Sequence, residues 1–168
     1  MRWLLIVLGS LAALVVIVVA VGYSLPDKHV ATRSAQLAAP PERVWATITE
    51  VSSAPQWRAD VKSVEVIRQG AAGPVWREVS GDGTITFETV ESVPQQRLVT
   101  RITDKSLPFG GSWTYELQPA ASGTQLTIRE DGEVYNPLFR FVSRYVMGHH
   151  STIDKYLSSL QTRLAAPR

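Results

Sequence analysis

Residues 3–21, WLLIVLGSLAALVVIVVAV, carry no charge, and only Gly9 and Ser10 interrupt the apolar run. At 1.5 Å per residue a helix of this length spans roughly 28 Å, close to the ~30 Å hydrocarbon core of a bilayer. Trp3 and Tyr23 stand near its two ends, where amphipathic rings favour the headgroup layer. A core helix is rarely apolar on every side for so long. A cleaved signal peptide is the rival reading. Ala20-Val21-Gly22 loosely fits a cleavage site, but the apolar stretch exceeds the usual 7–15 residues. The run from Trp3 to Val21 is therefore expected to be an uncleaved anchor, residues 1–23, in a single-pass protein of the cell membrane. Arg2 and the α-amine on one side nearly balance Lys28 and Arg33 on the other, so the positive-inside rule almost ties. A two-residue N-terminus ahead of a whole domain favours the N-in orientation, with the domain outside the cytoplasm.

What remains is about 145 residues, enough for one domain with a real core and not for two. Setting Arg2 aside leaves 16 basic residues against 15 acidic ones, and no Lys/Arg cluster stands out. A nucleic-acid partner is not expected, because such binders concentrate positive charge on one face. The absence of cysteine excludes disulfides, thiolate zinc sites, iron–sulfur clusters and a Cys nucleophile.

Residues 24–30 (SLPDKHV) read as a polar linker and residues 31–37 as a first strand. Pro40-Pro41 ends that strand and opens a helix over 42–49, with Glu42 in its first turn and Val44, Trp45 and Ile48 as an apolar stripe. A second short helix is expected near 52–57, with Ser52 or Ser53 as its cap. Strand-like runs follow at 61–69, 75–80, 84–92, 97–103, 112–118 and 124–134, separated by turn signals such as Gly81-Asp82-Gly83. Asn136-Pro137 is a helix start. Leu138, Val142, Val146, Ile153, Leu157, Leu160 and Leu164 then continue one stripe, with Phe141, Tyr145 and Tyr156 beside it. The spacing predicts a single helix of about 28 residues, some 40 Å long. The expected fold is α+β: a curved antiparallel sheet of six or seven strands around one long C-terminal helix, with two short helices after the first strand.

Three stretches carry a family resemblance: APPERVWATITEVSSAPQW at 39–57, PFGGSWTYELQP at 108–119 and EDGEVYNPLFRFVSRYVMG at 130–148. Together with the element order they resemble the START-like helix-grip (SRPBCC) superfamily, which includes polyketide cyclase/dehydratase-like and lipid-transfer proteins. The similarity covers residues 31–164. It implies an apolar cavity between sheet and final helix, and a hydrophobic small molecule or lipid as partner. These motifs specify a fold rather than a chemistry, since only some members catalyse.

Within that frame, Trp57, Phe87, Trp113, Tyr115, Ile128, Glu130, Tyr145, His149 and Ile153 are the cavity candidates. Trp76, Phe139 and Phe141 are further aromatic candidates for the wall. Period two places Glu130 on the face of Leu126 and Ile128, where an apolar setting would raise its pKa and suit it to acid–base work. The competing reading is a solvated carboxylate at the rim. Glu130, His149 and Tyr145 are the only candidate catalytic groups. His149 and His150 point about 100° apart on a helix, so they do not chelate, and no metal-ligand spacing is present. Leu107, Pro108 and Phe109, ahead of Gly110-Gly111, could form a lid or plug the end of the barrel. Nothing in the sequence points to a nucleotide, metal or other cofactor, and the oligomeric state stays open. The leading expectation is a membrane-tethered binding or transport domain. An enzyme of the cyclase/dehydratase type and a protein-interaction module at the membrane are the alternatives.

Overall fold

The computed structural model describes residues 2–81, 83–148 and 150–166. Helix α1 (Arg2–Ser24) is apolar along its length and long enough to cross a membrane. Three residues, Leu25 to Asp27, separate it from strand β1 (Lys28–Leu37). The expected linker over 24–30 is thus shortened to Leu25–Asp27, with Ser24 in the helix and residues 28–30 in the strand. The reason is pairing: β1 runs antiparallel to the last strand from Lys28↔Glu133 to Leu37↔Thr124, and Val134 N donates to Asp27 O at 2.7 Å.

Helix α2 (Pro41–Thr49) starts on its proline, as the sequence dictates. The second short helix is present as a 3-10 helix, Val51–Gln56, and no side-chain cap holds it. Strands β2 (Val61–Gln69), β3 (Pro74–Ser80), β4 (Gly83–Val93), β5 (Arg97–Ile102), β6 (Phe109–Ala120) and β7 (Gly123–Val134) then complete a seven-stranded sheet of order β1-β7-β6-β5-β4-β3-β2. Every pairing is antiparallel. Asp82, in the expected β3–β4 turn, lies outside the described residues.

The C-terminal segment departs from expectation. It is not one long helix. Helix α3 (Pro137–Val142) widens into a π turn (Ser143–Met147), Gly148 breaks the chain direction, and helix α4 (Ser151–Ala165) follows. Gly148 sits at φ 73°, ψ 148°, a conformation open essentially to glycine alone. Only α4 is gripped by the sheet. Its buried face, Ile153, Tyr156, Leu157, Leu160 and Leu164, meets Leu37, Leu117, Leu126 and Ile128, and α2 adds Val44 and Ile48. Replacing a fully buried leucine of this core, such as Leu160 or Leu126, by alanine costs about 2–5 kcal/mol.

Helix α3 instead packs beside the end of α1. Gly22 makes that possible, because a Cβ there would collide with the Pro137 carbonyl oxygen. The Asn136 side chain caps α3 by accepting from Leu138 N at 2.9 Å and Phe139 N at 3.2 Å. The stripe of Leu138, Tyr145 and Val146 is left exposed rather than laid on the sheet.

Candidate functional site

On β3, period two turns Trp76, Glu78 and Ser80 inward and Arg77 outward. Glu78 is a carboxylate among aromatics, with only 9% of its side chain exposed. Its partner comes from the 3-10 turn: Ala54 O accepts from Trp57 N at 3.1 Å and from Arg58 N at 2.8 Å, which sets both side chains above the sheet. Arg58 then forks onto Glu78, donating from Nη1 to Oε2 and from Nη2 to Oε1, each at 3.0 Å. Nη2 also donates to Asp60 Oδ2 at 2.8 Å. The guanidinium lies 5.5 Å from the ring centre of Tyr156.

Tyr156 is the hub of an aromatic cluster. Trp57, Trp113 and Tyr115 stand 5.4, 5.7 and 5.7 Å from it, while Trp76 stacks on Phe87 at 5.4 Å. Between sheet and α4 these rings border a partly open space of two lobes. The inner lobe, about 100 Å³, is lined by Ile48, Trp57, Arg58, Trp76, Glu78, Leu98, Thr100, Tyr115 and Tyr156. The outer lobe, about 220 Å³, shares Arg58, Trp76, Glu78, Thr100, Tyr115 and Tyr156 and adds Ile85, Phe87, Ile102, Gly111, Trp113, Glu130 and Thr152. It exceeds the ~150 Å³ that suffices for a benzene ring.

Burial governs the electrostatics. It lifts the Glu78 carboxyl above the ordinary range, and Arg58 only partly counters this. It also opposes the Arg58 charge, but Glu78 and Asp60 outweigh it and hold the guanidinium above its usual value. Burial pushes Tyr115 up to about 12 and Tyr156 well above the ordinary phenol range. Both Glu78 oxygens already accept from Arg58, so this carboxylate is not a free base. Two buried donors, Trp57 Nε1 and Arg58 Nε, have no acceptor among the described residues.

The candidates scatter. Trp57, Phe87, Trp113, Tyr115 and Glu130 all line the space. Ile128 and Ile153 do not: both are 0% exposed and fill the solid core where α4 meets the sheet. Tyr145, 61% exposed, stands on the π turn outside the cavity, because only α4, beyond Gly148, lies on the sheet. Phe139 is likewise exposed on α3. His149 lies outside the described residues. Glu130 sits at the rim, its Oε1 3.8 Å from His29 Nε2, and the His29 ring occupies the room that a side chain at Gly132 would need. Phe109 is not a loop residue; it pairs with Val134 as the first residue of β6. Pro108 O accepts from Tyr135 N at 2.8 Å, which ties Leu107 and Pro108 to the end of β7. Among the described residues no group of three His, Asp or Glu side chains could hold a metal ion.

Sequence reasoning missed Arg58, Glu78 and the central place of Tyr156. One signal was available for Glu78, an acid in phase with Trp76 on an inward strand face. Nothing local announced that Arg58 would meet it.

A curved antiparallel sheet clasping one helix, with a ring-lined hollow between them, defines a helix-grip ligand-binding domain. The comparisons agree. Residues 28–165 match the family described as polyketide cyclase / dehydrase and lipid transport, and the chain belongs to that family. The fold is similar to a START superfamily protein from Mycobacterium smegmatis (TM-score 0.66, 16% identity, 81% of this chain and 97% of that one). It is also similar to the Zhui aromatase/cyclase from Streptomyces sp. R1128 (TM-score 0.66, 15% identity, 82% and 93%). The di-domain ARO/CYC BexL of the BE-7585A biosynthetic pathway matches at TM-score 0.70 and 13% identity over 86% of this chain and 53% of that one. No curated protein matches by sequence.

Proposed function

We propose that this chain is a membrane-tethered binding domain for a hydrophobic small molecule, or one segment of a lipid, that carries an oxygen acceptor. One observation carries the reading: Trp57 and Arg58, which line an aromatic-walled space, each bear a buried N–H that has no acceptor among the described residues. An unmatched buried donor costs roughly 1–3 kcal/mol, which a ligand carbonyl or hydroxyl would recover. The size of the outer lobe favours a ring or a short chain over a whole phospholipid. Helix α1 supplies the tether, with the domain on the extracytoplasmic side.

Native mass spectrometry with solvent extraction of the full-length protein in detergent tests this. The expected result is a bound apolar mass that Ile85→Trp, at the outer lobe, removes. A protein that carries and takes up no apolar molecule would overturn the reading.

A second reading, acid–base chemistry on a bound substrate, is supported by the Glu130–His29 pair at the rim. It requires a turnover that Glu130→Gln reduces.

A further inference from the structure

We infer that the α3–π-turn segment, residues 137–147, lies in the bilayer interface as a second membrane contact beside α1. This rests on the reading of α1 as a membrane anchor. The segment is amphipathic in an orderly way. On a helical projection at about 100° per residue, Leu138, Phe139, Val142, Tyr145 and Val146 fall within one half-turn. Arg140, Ser143 and Arg144 occupy the opposite side. That apolar half is left uncovered by the domain: Tyr145 is 61% and Val146 72% exposed, and Leu138 and Phe139 are exposed as well.

Depth makes the bilayer the fitting occupant. Helix α3 packs on the last turns of α1, with the Pro137 backbone against Gly22. Those turns are where a spanning helix leaves the hydrocarbon. An interfacial helix buries its apolar face about 5–10 Å into the headgroup boundary, the level at which α1 holds α3. Aromatic residues favour that layer, and Tyr23, Tyr135, Phe139 and Tyr145 are all exposed around it. On the polar side, Arg140 is tied to the domain, donating from Nε to Val134 O at 2.8 Å, while Arg144 is exposed and free to face headgroups. The contact turns one end of the sheet toward the membrane. It is the end where β6 begins and β7 finishes, and where Gly110, Gly111, Ser151 and Thr152 border the outer lobe. A ligand dissolved in the bilayer would then meet the cavity mouth without crossing open water.

The chain has no cysteine, so single labels can be placed cleanly. Full-length protein carrying Leu138→Cys, Val146→Cys, Leu11→Cys or Ser122→Cys is labelled with an environment-sensitive fluorophore and reconstituted in phosphatidylcholine vesicles. Quenching by doxyl-labelled lipid is compared with quenching by aqueous iodide. Labels at 138 and 146 are expected to lose iodide quenching and gain lipid quenching relative to the label at 122, as the label at 11 does. If 138 and 146 stay open to iodide while 11 is quenched by lipid, the inference falls and the tether stands. If both quenchers fail at 138 and 146, protein covers the face, as a second copy of the chain would, and the inference also falls. If 11 itself is open to iodide, tether and inference fail together.

Discussion

Arg58 and Glu78 show how much a single pair can cost in this cavity. Removing one partner of a buried ion pair strands the other. Glu78→Ala is therefore expected to destabilise the full-length protein by about 3–5 kcal/mol in urea unfolding, with Asp60 only partly compensating. Replacing both, Arg58→Met with Glu78→Met, should return stability to within about 1 kcal/mol of the starting value or above it, because the desolvation cost disappears with the charges. Ligand retention should fall in the same double variant, since the Arg58 donor has gone. Tyr115 gives a prediction with a definite sign. Its folded value is raised from 10.0 to about 12, so the folded state holds the phenolic proton more tightly than the unfolded chain. The stability this contributes is fully present below pH 10 and is lost as pH rises from 10 through about 12. Denaturant midpoints measured across that window should decline for the parent protein and decline less for Tyr115→Phe.

Elements differed in how far their own residues announced them. The strands were legible because period two and the Gly/Pro punctuation agree, and β2 starts and ends where its pattern does, at Val61–Gln69. The inward phase of β7 was equally plain, which placed Glu130 among the lining residues. The final helix was misjudged because its apolar stripe runs unbroken through Gly148, and glycine inside a helix is tolerated often enough to be passed over. The stripe is real on both sides of the break; its two halves meet different surroundings. Arg58 was illegible for another reason. It meets Glu78 twenty residues away through the register between a 3-10 turn and β3, which no local pattern encodes. The break itself can be tested. Gly148 has open space where a Cβ would go, so only its backbone conformation resists substitution. Gly148→Ala should cost about 1–3 kcal/mol in thermal or urea unfolding. Restored stability together with increased helical circular dichroism would mean that α3 and α4 had joined into the continuous helix the stripe first implied.

Across the whole molecule, helix α1 and the domain are packed together, joined at Gly22 and Pro137. Removing residues 1–27 therefore leaves the flank of α3 that α1 covers open to water, next to the already exposed Leu138 and Val146. The shortened chain is expected to self-associate in detergent-free buffer. Adding Leu138→Glu and Val146→Glu should return it to a monomer in sedimentation velocity. If the shortened chain is monomeric without those changes, the flank is not adhesive. The three residues between α1 and β1 matter most for how such a protein would operate. Fully stretched they reach only about 10 Å, and Asp27 is already pinned to Val134. On the proposed reading of α1 as a membrane anchor, a domain on so short a leash cannot ferry cargo across a gap between two membranes. It is a berth fixed to the quay, and whatever it holds must arrive and depart along the same shore.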